Sequence, residues 1–232
     1  MDPKDLLDQL FPQGHTATVE NWLVSGEGSL NGETVSILGT AGDAFVGAAE
    51  ALVLTDRLLD IVENHPGRPI LMLVDNSGQR MALGEELLVL PEYVAHLLKA
   101  QQLARSTGSK LIAVLYGPAV AGGFIAFGML ADRIVAVPGA EPSVMKLEAI
   151  SRVTKMPLEK LEELAKTVSV FAPGCGNFEK MGGVYEVWDD DFNRRLADIL
   201  KTDVSQDLRA SLGRERGGRT SAQDVIDEVL RA

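Results

Sequence analysis

Gly122 and Gly123 stand where a buried apolar strand, Leu111-Ile112-Ala113-Val114-Leu115-Tyr116, gives way to a helix. The link between them is the small-residue turn Gly117-Pro118-Ala119-Val120-Ala121, and the short apolar helix is expected over Phe124–Leu130. Backbone N–H groups at a helix start lack an intrahelical acceptor. They also carry partial positive charge and suit an oxygen on which negative charge develops. Without Cβ atoms, the two glycines let a ligand carbonyl approach closely. A second segment of similar character, Asp75-Asn76-Ser77-Gly78-Gln79-Arg80, follows another continuously apolar strand, Pro69–Val74. A donor from the Gly78 region would complete an oxyanion hole. The competing reading is that Gly122-Gly123 only allows tight packing of a helix on a sheet.

Other reactive side chains are weaker candidates. Ser77 is the one hydroxyl in the Asp75–Arg80 segment, and serine favours capping a turn, here the one before Gly78. Asp75 reads as a cap of its own loop. Arg80 can meet a substrate carboxylate or phosphate, or pair locally with Glu85 or Glu86. His15, His65 and His96 have no Cys or carboxylate at metal-ligand spacing, so no metal site is expected. Cys175 lies between Gly174 and Gly176 with no neighbour that would depress its pKa, and reads as structural. Gly217-Gly218 lacks the strand and helix of a phosphate loop and reads as a linker.

The elements that must position these segments alternate. Asp2-Pro3 starts a helix with an apolar stripe of Leu6, Leu7, Leu10 and Phe11. Asn31-Gly32 predicts a hairpin between Trp22–Ser29 and Glu33–Leu38. A helix is expected from about Asp43 to Asn64, with Phe45, Ala48, Ala49, Leu52, Leu59 and Val62 on its apolar face and His65-Pro66-Gly67 ending it. A loop from Asp75 to Gly84 leads to a second long helix ending near Ser106, with Pro91 at its start or at a kink. A third strand is expected over Arg133–Val137. Further along come a charged helix from Pro157 to about Val168, an extended segment over Val184–Trp188, and helices near Asp190–Lys201 and Ser221–Arg231. Alternation of this kind means βαβ crossovers and a mainly parallel sheet, whose ligands bind at the carboxyl ends of strands.

Bulk properties narrow the function. The chain has 232 residues, 46% of them apolar, and a net charge of −11, which speaks against nucleic acid. No apolar run would span a bilayer. No signal-peptide pattern opens the chain, and a single cysteine suits a reducing compartment, so a cytoplasmic protein is expected. One domain over 1–232 is the economical organisation, with 190–232 as a helical extension.

The stretch Val74–Val137 resembles the carboxyltransferase branch of the crotonase superfamily. Asp75–Met81 with Gly84-Glu85-Glu86 is similar to that branch's first oxyanion segment, and Val120–Gly128 to its second. Within the branch the chain resembles gamma subunits of biotin-independent malonate decarboxylases. The resemblance implies an α/β fold of the ClpP/crotonase kind, a repeated ββα superhelix with a helical C-terminal extension. It implies Gly78, Gln79, Gly122 and Gly123 as the oxyanion groups, with Asn76, Ser77, Arg80, Tyr116, Pro118, Val120, Ala121 and Phe124 lining the substrate. Gln79 departs from the pattern, standing where carboxyltransferases often have a small residue, which narrows or redirects that donor loop. Related serine peptidases place a serine at the turn where Ala121 stands, so a nucleophilic peptidase is not expected.

The activity implied is decarboxylation of a malonyl thioester to an acetyl thioester. The thioester is borne on an acyl carrier protein through an arm of phosphoribosyl-dephospho-CoA type, and no cofactor is held by this chain. A homologous beta subunit is the implied partner in a hetero-oligomer, with apolar helices near Phe124 and Phe127 as the expected interface. The alternatives are a biotin-dependent carboxyltransferase subunit, and a non-catalytic partner that buttresses an active homologue.

Overall fold

A computed structural model describes residues 1–168 and 172–231, so the predicted C-terminal helical segment is described up to its penultimate residue. The first helix, α1 (Pro3–Leu10), forms as its sequence predicts. The Asp2 carboxylate accepts the Lys4 N–H at 2.8 Å, Pro3 sits in the first turn, and Leu6, Leu7, Leu10 and the following Phe11 are buried. Strands β1 (Thr18–Glu20), β2 (Leu23–Leu30) and β3 (Glu33–Thr40) are antiparallel. The β2–β3 turn has positive φ at both Asn31 (52°) and Gly32 (85°), the conformation that makes this dipeptide a hairpin signal.

Strand β4 (Ala44–Val46) and helix α2 (Ala48–Asn64) follow. The expected start at Asp43 is therefore corrected: Asp43 is left-handed (φ 55°), and Phe45 lies exposed in a strand. The expected apolar face of α2 is corrected too. Ala48, Ala51, Leu54, Thr55 and Leu58 face the core, while Leu52 and Leu59 point outward. Two apolar stripes run along this helix, and periodicity alone does not say which one the chain covers itself.

Strand β5 (Ile70–Gln79) is longer than its apolar run. It precedes α3 (Leu83–Leu87) and α4 (Leu90–Ser106), with Pro91 in the first turn of α4. Strand β6 (Leu111–Val120) is also extended and runs straight into α5 (Ala121–Ala126). The predicted loops at Asp75–Gln79 and Gly117–Val120 are thus strand. Their polar and small residues read as loop because their outer partners are the short strands β4 and β8. The chain continues through β7 (Arg133–Ala136), β8 (Glu141–Ser143), α6 (Leu147–Thr154), α7 (Leu158–Thr167), α8 (Cys175–Lys180) and β9 (Glu186–Val187). Helices α9 (Phe192–Lys201), α10 (Arg209–Glu215) and α11 (Ala222–Arg231) complete it.

The main sheet runs β1-β2-β3-β5-β6-β7-β9, parallel from β3 to β9. The first half of β5 pairs with β3, from Ser36↔Ile70 to Gly39↔Leu73, and its second half pairs with β4 at Asn76 and Gln79. In the same way β6 pairs first with β7 and then, from Pro118 to Val120, with β8. Each unit is two strand segments followed by a helix, which is the repeated ββα architecture of the crotonase-like fold. Alternation along β5 divides the core between the sheet's two faces. Ile70, Met72 and Val74 pack with α2 and α4, whereas Leu71 and Leu73 pack with α1, Trp188 and α9. Helix α9 buries Phe192, Leu196, Ala197 and Ile199 and is part of that second cluster.

Candidate active site: a backbone turn seated on a polar strand end

The carboxyl ends of β5 and β6 meet at Asn76↔Ala119, and the first turn of α5 lies against them. Ala121 begins that turn with φ 44°, a left-handed conformation that a non-glycine residue adopts only where its surroundings hold it there. Gly123 is pressed onto β5: a Cβ there would lie 2.5 Å from Asn76 Oδ1 and 2.7 Å from the Gly78 carbonyl carbon and oxygen. Gly78 itself has φ 105°, and a Cβ on it would come within 3.4 Å of the Val120 carbonyl oxygen. The two segments singled out from sequence are therefore in contact; the closeness requires glycine at 123, and the left-handed backbone at 78 requires it there.

The Gly122 N–H donates to Gln79 Oε1 at 2.9 Å, and a Cβ on Gly122 would sit 2.7 Å from that oxygen. Gln79 Nε2 has a weak partner, Met81 Sδ at 3.5 Å. Among the described residues, no acceptor is bonded to the Gly123 N–H. Asn76 is fully buried with neither carboxamide atom hydrogen-bonded. Leaving such a group unsatisfied costs about 1–3 kcal/mol.

The far end of α5 is fixed as well. Gln101, buried on α4, donates from Nε2 to the Ala126 carbonyl oxygen at 2.7 Å, and Arg209 reaches the Met129 carbonyl at 2.6 Å. Sequence reasoning missed Gln101. Its signal was a lone carboxamide in the buried stripe Leu97, Ala100, Ala104.

Several expected substrate contacts have other work. Tyr116 is fully buried, its hydroxyl donating to the Thr40 carbonyl oxygen at 2.7 Å. Burial, with Asp75 and Asp2 adding to it, pushes its phenol well above the ordinary range. It is a core residue, because side chains alternate along β6 and Tyr116 falls on the face away from α5. Phe124 is 2% exposed and Phe127 fully buried, so both belong to the core, with Phe124 packed against Phe178. The two phenylalanines therefore do not themselves form an exposed interface, because α5 packs them onto the sheet and leaves Ile125 outward. Exposed apolar side chains occur instead at Ile125 and along the segment after β5: Met81, Leu83, Leu87, Leu88 and Val89.

Arg80 Nη2 pairs with Glu50 Oε1 at 2.7 Å, and its Nε lies 3.6 Å from Glu85. The same carboxylates accept the N–H groups opening α2, Glu50 from Gly47 at 2.9 Å and Glu85 from Ala48 at 2.8 Å. Arg80 therefore ties the β5 end to α2 and α3. Glu85 is one of its partners and Glu50, not Glu86, is the other. Asp75 caps a neighbouring loop rather than its own, accepting from Gly42 at 2.9 Å and Asp43 at 3.3 Å. Burial pushes its carboxyl above the ordinary value, against those two hydrogen bonds. Ser77 is half-buried in β5, in an extended strand rather than at a turn. Pro118, Val120 and Ala121 are half-buried beside the turn.

Cys175 donates to the Ala140 carbonyl oxygen at 3.1 Å, and burial raises its thiol pKa, which makes it a poor nucleophile. Among the described residues no group of three or more His, Cys, Asp or Glu could hold a metal, and no helix is long and apolar enough to cross a membrane. Neither of two clefts among the described residues is lined by Gly122 or Gly123: one of about 630 Å³ lies between Met181, Arg209 and α11, and one of about 370 Å³ runs along Val144, Ile150 and Phe178, beside the β8 strand that pairs with the β6 end.

Comparison with known proteins places this architecture. The chain is 33% identical over 168 residues to the malonyl-S-ACP:biotin-protein carboxyltransferase MADD of Malonomonas rubra, covering 66% of this chain and 58% of that protein. It therefore spans somewhat over half the length of that curated relative. It superposes on a chain of a Pseudomonas malonate decarboxylase hetero-tetramer in complex with coenzyme A with a TM-score of 0.78 and 26% identity, covering 97% of both chains. Transcarboxylase 12S shares the fold, with a TM-score of 0.72 at 22% identity over 86% of this chain and 41% of that one. The family model for the malonate decarboxylase gamma subunit matches residues 41–232, so the chain belongs to that family.

Proposed function

We propose that the chain is one half of a paired decarboxylase acting on a malonyl thioester carried by an acyl carrier protein. The observation that carries this reading is the seating of Gly123 on Gly78, which gathers backbone groups of two strand ends, with no base among the described residues hydrogen-bonded to the neighbouring Ser77. Loss of carbon dioxide breaks the bond between the carboxylate and the α-carbon. The electron pair passes into the thioester, whose oxygen becomes an enolate oxygen, and a proton, from water or another acid, then completes the acetyl group. Donors fixed in place before the charge appears lower that barrier without any base. In this reading Gly122, Gly123 and the Gly78 segment face the oxygen, and Pro118, Val120 and Ala121 flank the acyl group.

Neither of the clefts of about 630 and 370 Å³ is lined by Gly122 or Gly123, and in this reading a second subunit walls the site. We assign that role to a homologous beta subunit in a hetero-oligomer, as the hetero-tetrameric Pseudomonas relative suggests. The acyl group arrives on an arm of phosphoribosyl-dephospho-CoA type, a substrate group rather than a cofactor of this chain. The reading keeps 1–232 as one cytoplasmic domain. The test is carbon dioxide release from malonyl-thioester carrier. The chain assembled with a beta subunit turns over, and the chain alone shows little activity; full activity from the chain alone overturns the pairing.

The relative from Malonomonas rubra, a biotin-protein carboxyltransferase, favours a second reading in which the carboxyl group passes to biotin. Avidin separates the two, since it blocks the carboxyltransferase and leaves the decarboxylase untouched.

A further inference from the structure

We propose that Gln79 is a displaceable occupant of the Gly122 amide, its side-chain carbonyl holding the place an acyl oxygen takes when substrate binds. The proposal rests on the reading of Gly122 as an oxyanion donor and deepens it by naming the residue that sets affinity there. Gln79 Oε1 accepts the Gly122 N–H at 2.9 Å, with the geometry a substrate carbonyl would need. The absence of a Cβ on Gly122 makes room for that oxygen, since a Cβ would lie 2.7 Å from it. The rest of the carboxamide is loosely held: Nε2 meets only a thioether, and Gln79 is the last residue of β5, partly exposed.

Independently, the carboxamide of Asn76, fully buried with both polar atoms unpartnered, lies against Gly123. Unsatisfied buried polar groups in native structures call for a partner, and this one lies in the seam between β5 and the first turn of α5, one residue from the Gly122 amide. A neutral amide oxygen makes an ordinary hydrogen bond, whereas an oxygen acquiring charge makes one roughly twice as strong. Substrate therefore displaces Gln79 more readily as the reaction proceeds, and Gln79 keeps water and weak acceptors off the amide in between.

The test uses the assembled complex, with acetyl-CoA as the binding probe and malonyl-thioester carrier as substrate. Gln79→Ala removes the competitor and lowers the acetyl-CoA Kd and the KM about fivefold, the factor equivalent to roughly 1 kcal/mol for one neutral hydrogen bond. Gln79→Glu places a stronger acceptor on the same amide and repels an anionic oxygen, so both constants rise. A residue that merely braces the turn would weaken binding in both variants. Unchanged or weaker acetyl-CoA binding by Gln79→Ala overturns the proposal. Gly123→Ala distinguishes the two levels. If it abolishes turnover while Gln79→Ala binds no tighter, only the occupant fails. If it leaves turnover intact while Gln79→Ala does bind tighter, the reading of Gly123 as an oxyanion donor fails and the occupant of the Gly122 amide stands.

Discussion

The carboxyl ends of β5 and β6 are the same kind of place in the fold, each the second half of a strand whose first half is buried in the main sheet. Their chemistry is opposite. The β5 end is polar, and three of its side chains are spent on neighbours: Asp75 on the Gly42 and Asp43 amides, Gln79 on Gly122, Arg80 on Glu50. The β6 end, Gly117-Pro118-Ala119-Val120-Ala121, has no polar side chain and offers backbone. The difference teaches a division of labour. One strand end is a bracket, and the other presents main-chain groups that need no ionisation to act. Even the glycines follow it, since a Cβ on Gly117 would lie 2.7 Å from the Asp75 carboxyl carbon.

If packing holds the β6 side and polar ties hold the β5 side, cutting each should differ in size. Phe124→Ala, in the core behind the turn, should lower stability by about 3–5 kcal/mol, whereas Ile125→Ala on the exposed side of the same helix should stay within about 0.5 kcal/mol. Chemical denaturation of the two variants checks this, and equal losses would break the contrast. Arg80→Met leaves two partly buried carboxylates, Glu50 and Glu85, facing each other without their cation. Because Arg80 is nearly half exposed, a loss of only about 1 kcal/mol is expected, read as a shift in denaturant midpoint.

The smallest effect is a pH slope at Asp75. Its folded-state pKa lies above the ordinary 3.8, so the folded chain keeps that proton after the unfolded chain has lost it. The stability of the wild-type chain relative to Asp75→Asn should therefore fall as pH rises from about 3.8 through the raised folded pKa, and level off above it. Parallel melting curves at each pH would reveal the slope; a relative stability that rises over that window would contradict the burial argument.

Much of this was legible in the sequence, for physical reasons. Asn31-Gly32 can hardly avoid a hairpin, and Ile70–Val74 and Leu111–Tyr116 are apolar on both faces because helices cover both sides of a parallel sheet. The strand continuations past Val74 and Tyr116 were not legible, because polar and glycine-rich residues pair there with strands of only three residues. The burial of Phe124 and Phe127 was hidden for a related reason: it depends on how closely Gly123 lets α5 approach β5, a tertiary fact with no local pattern. Within the candidate site the two segments could be found, and Gln79 stood out as a departure from pattern. That its side chain answers the Gly122 amide required the geometry.

The central claim is that the Gly122-Gly123 turn, not a side chain, does the chemistry. The most direct measurement is carbon dioxide release by the assembled complex carrying Gly123→Ala, with assembly verified by size-exclusion chromatography. The added Cβ would push against the Gly78 backbone and displace the donors. The account predicts a fall in turnover of at least about 100-fold in an intact complex. Undiminished turnover in an intact complex would contradict it.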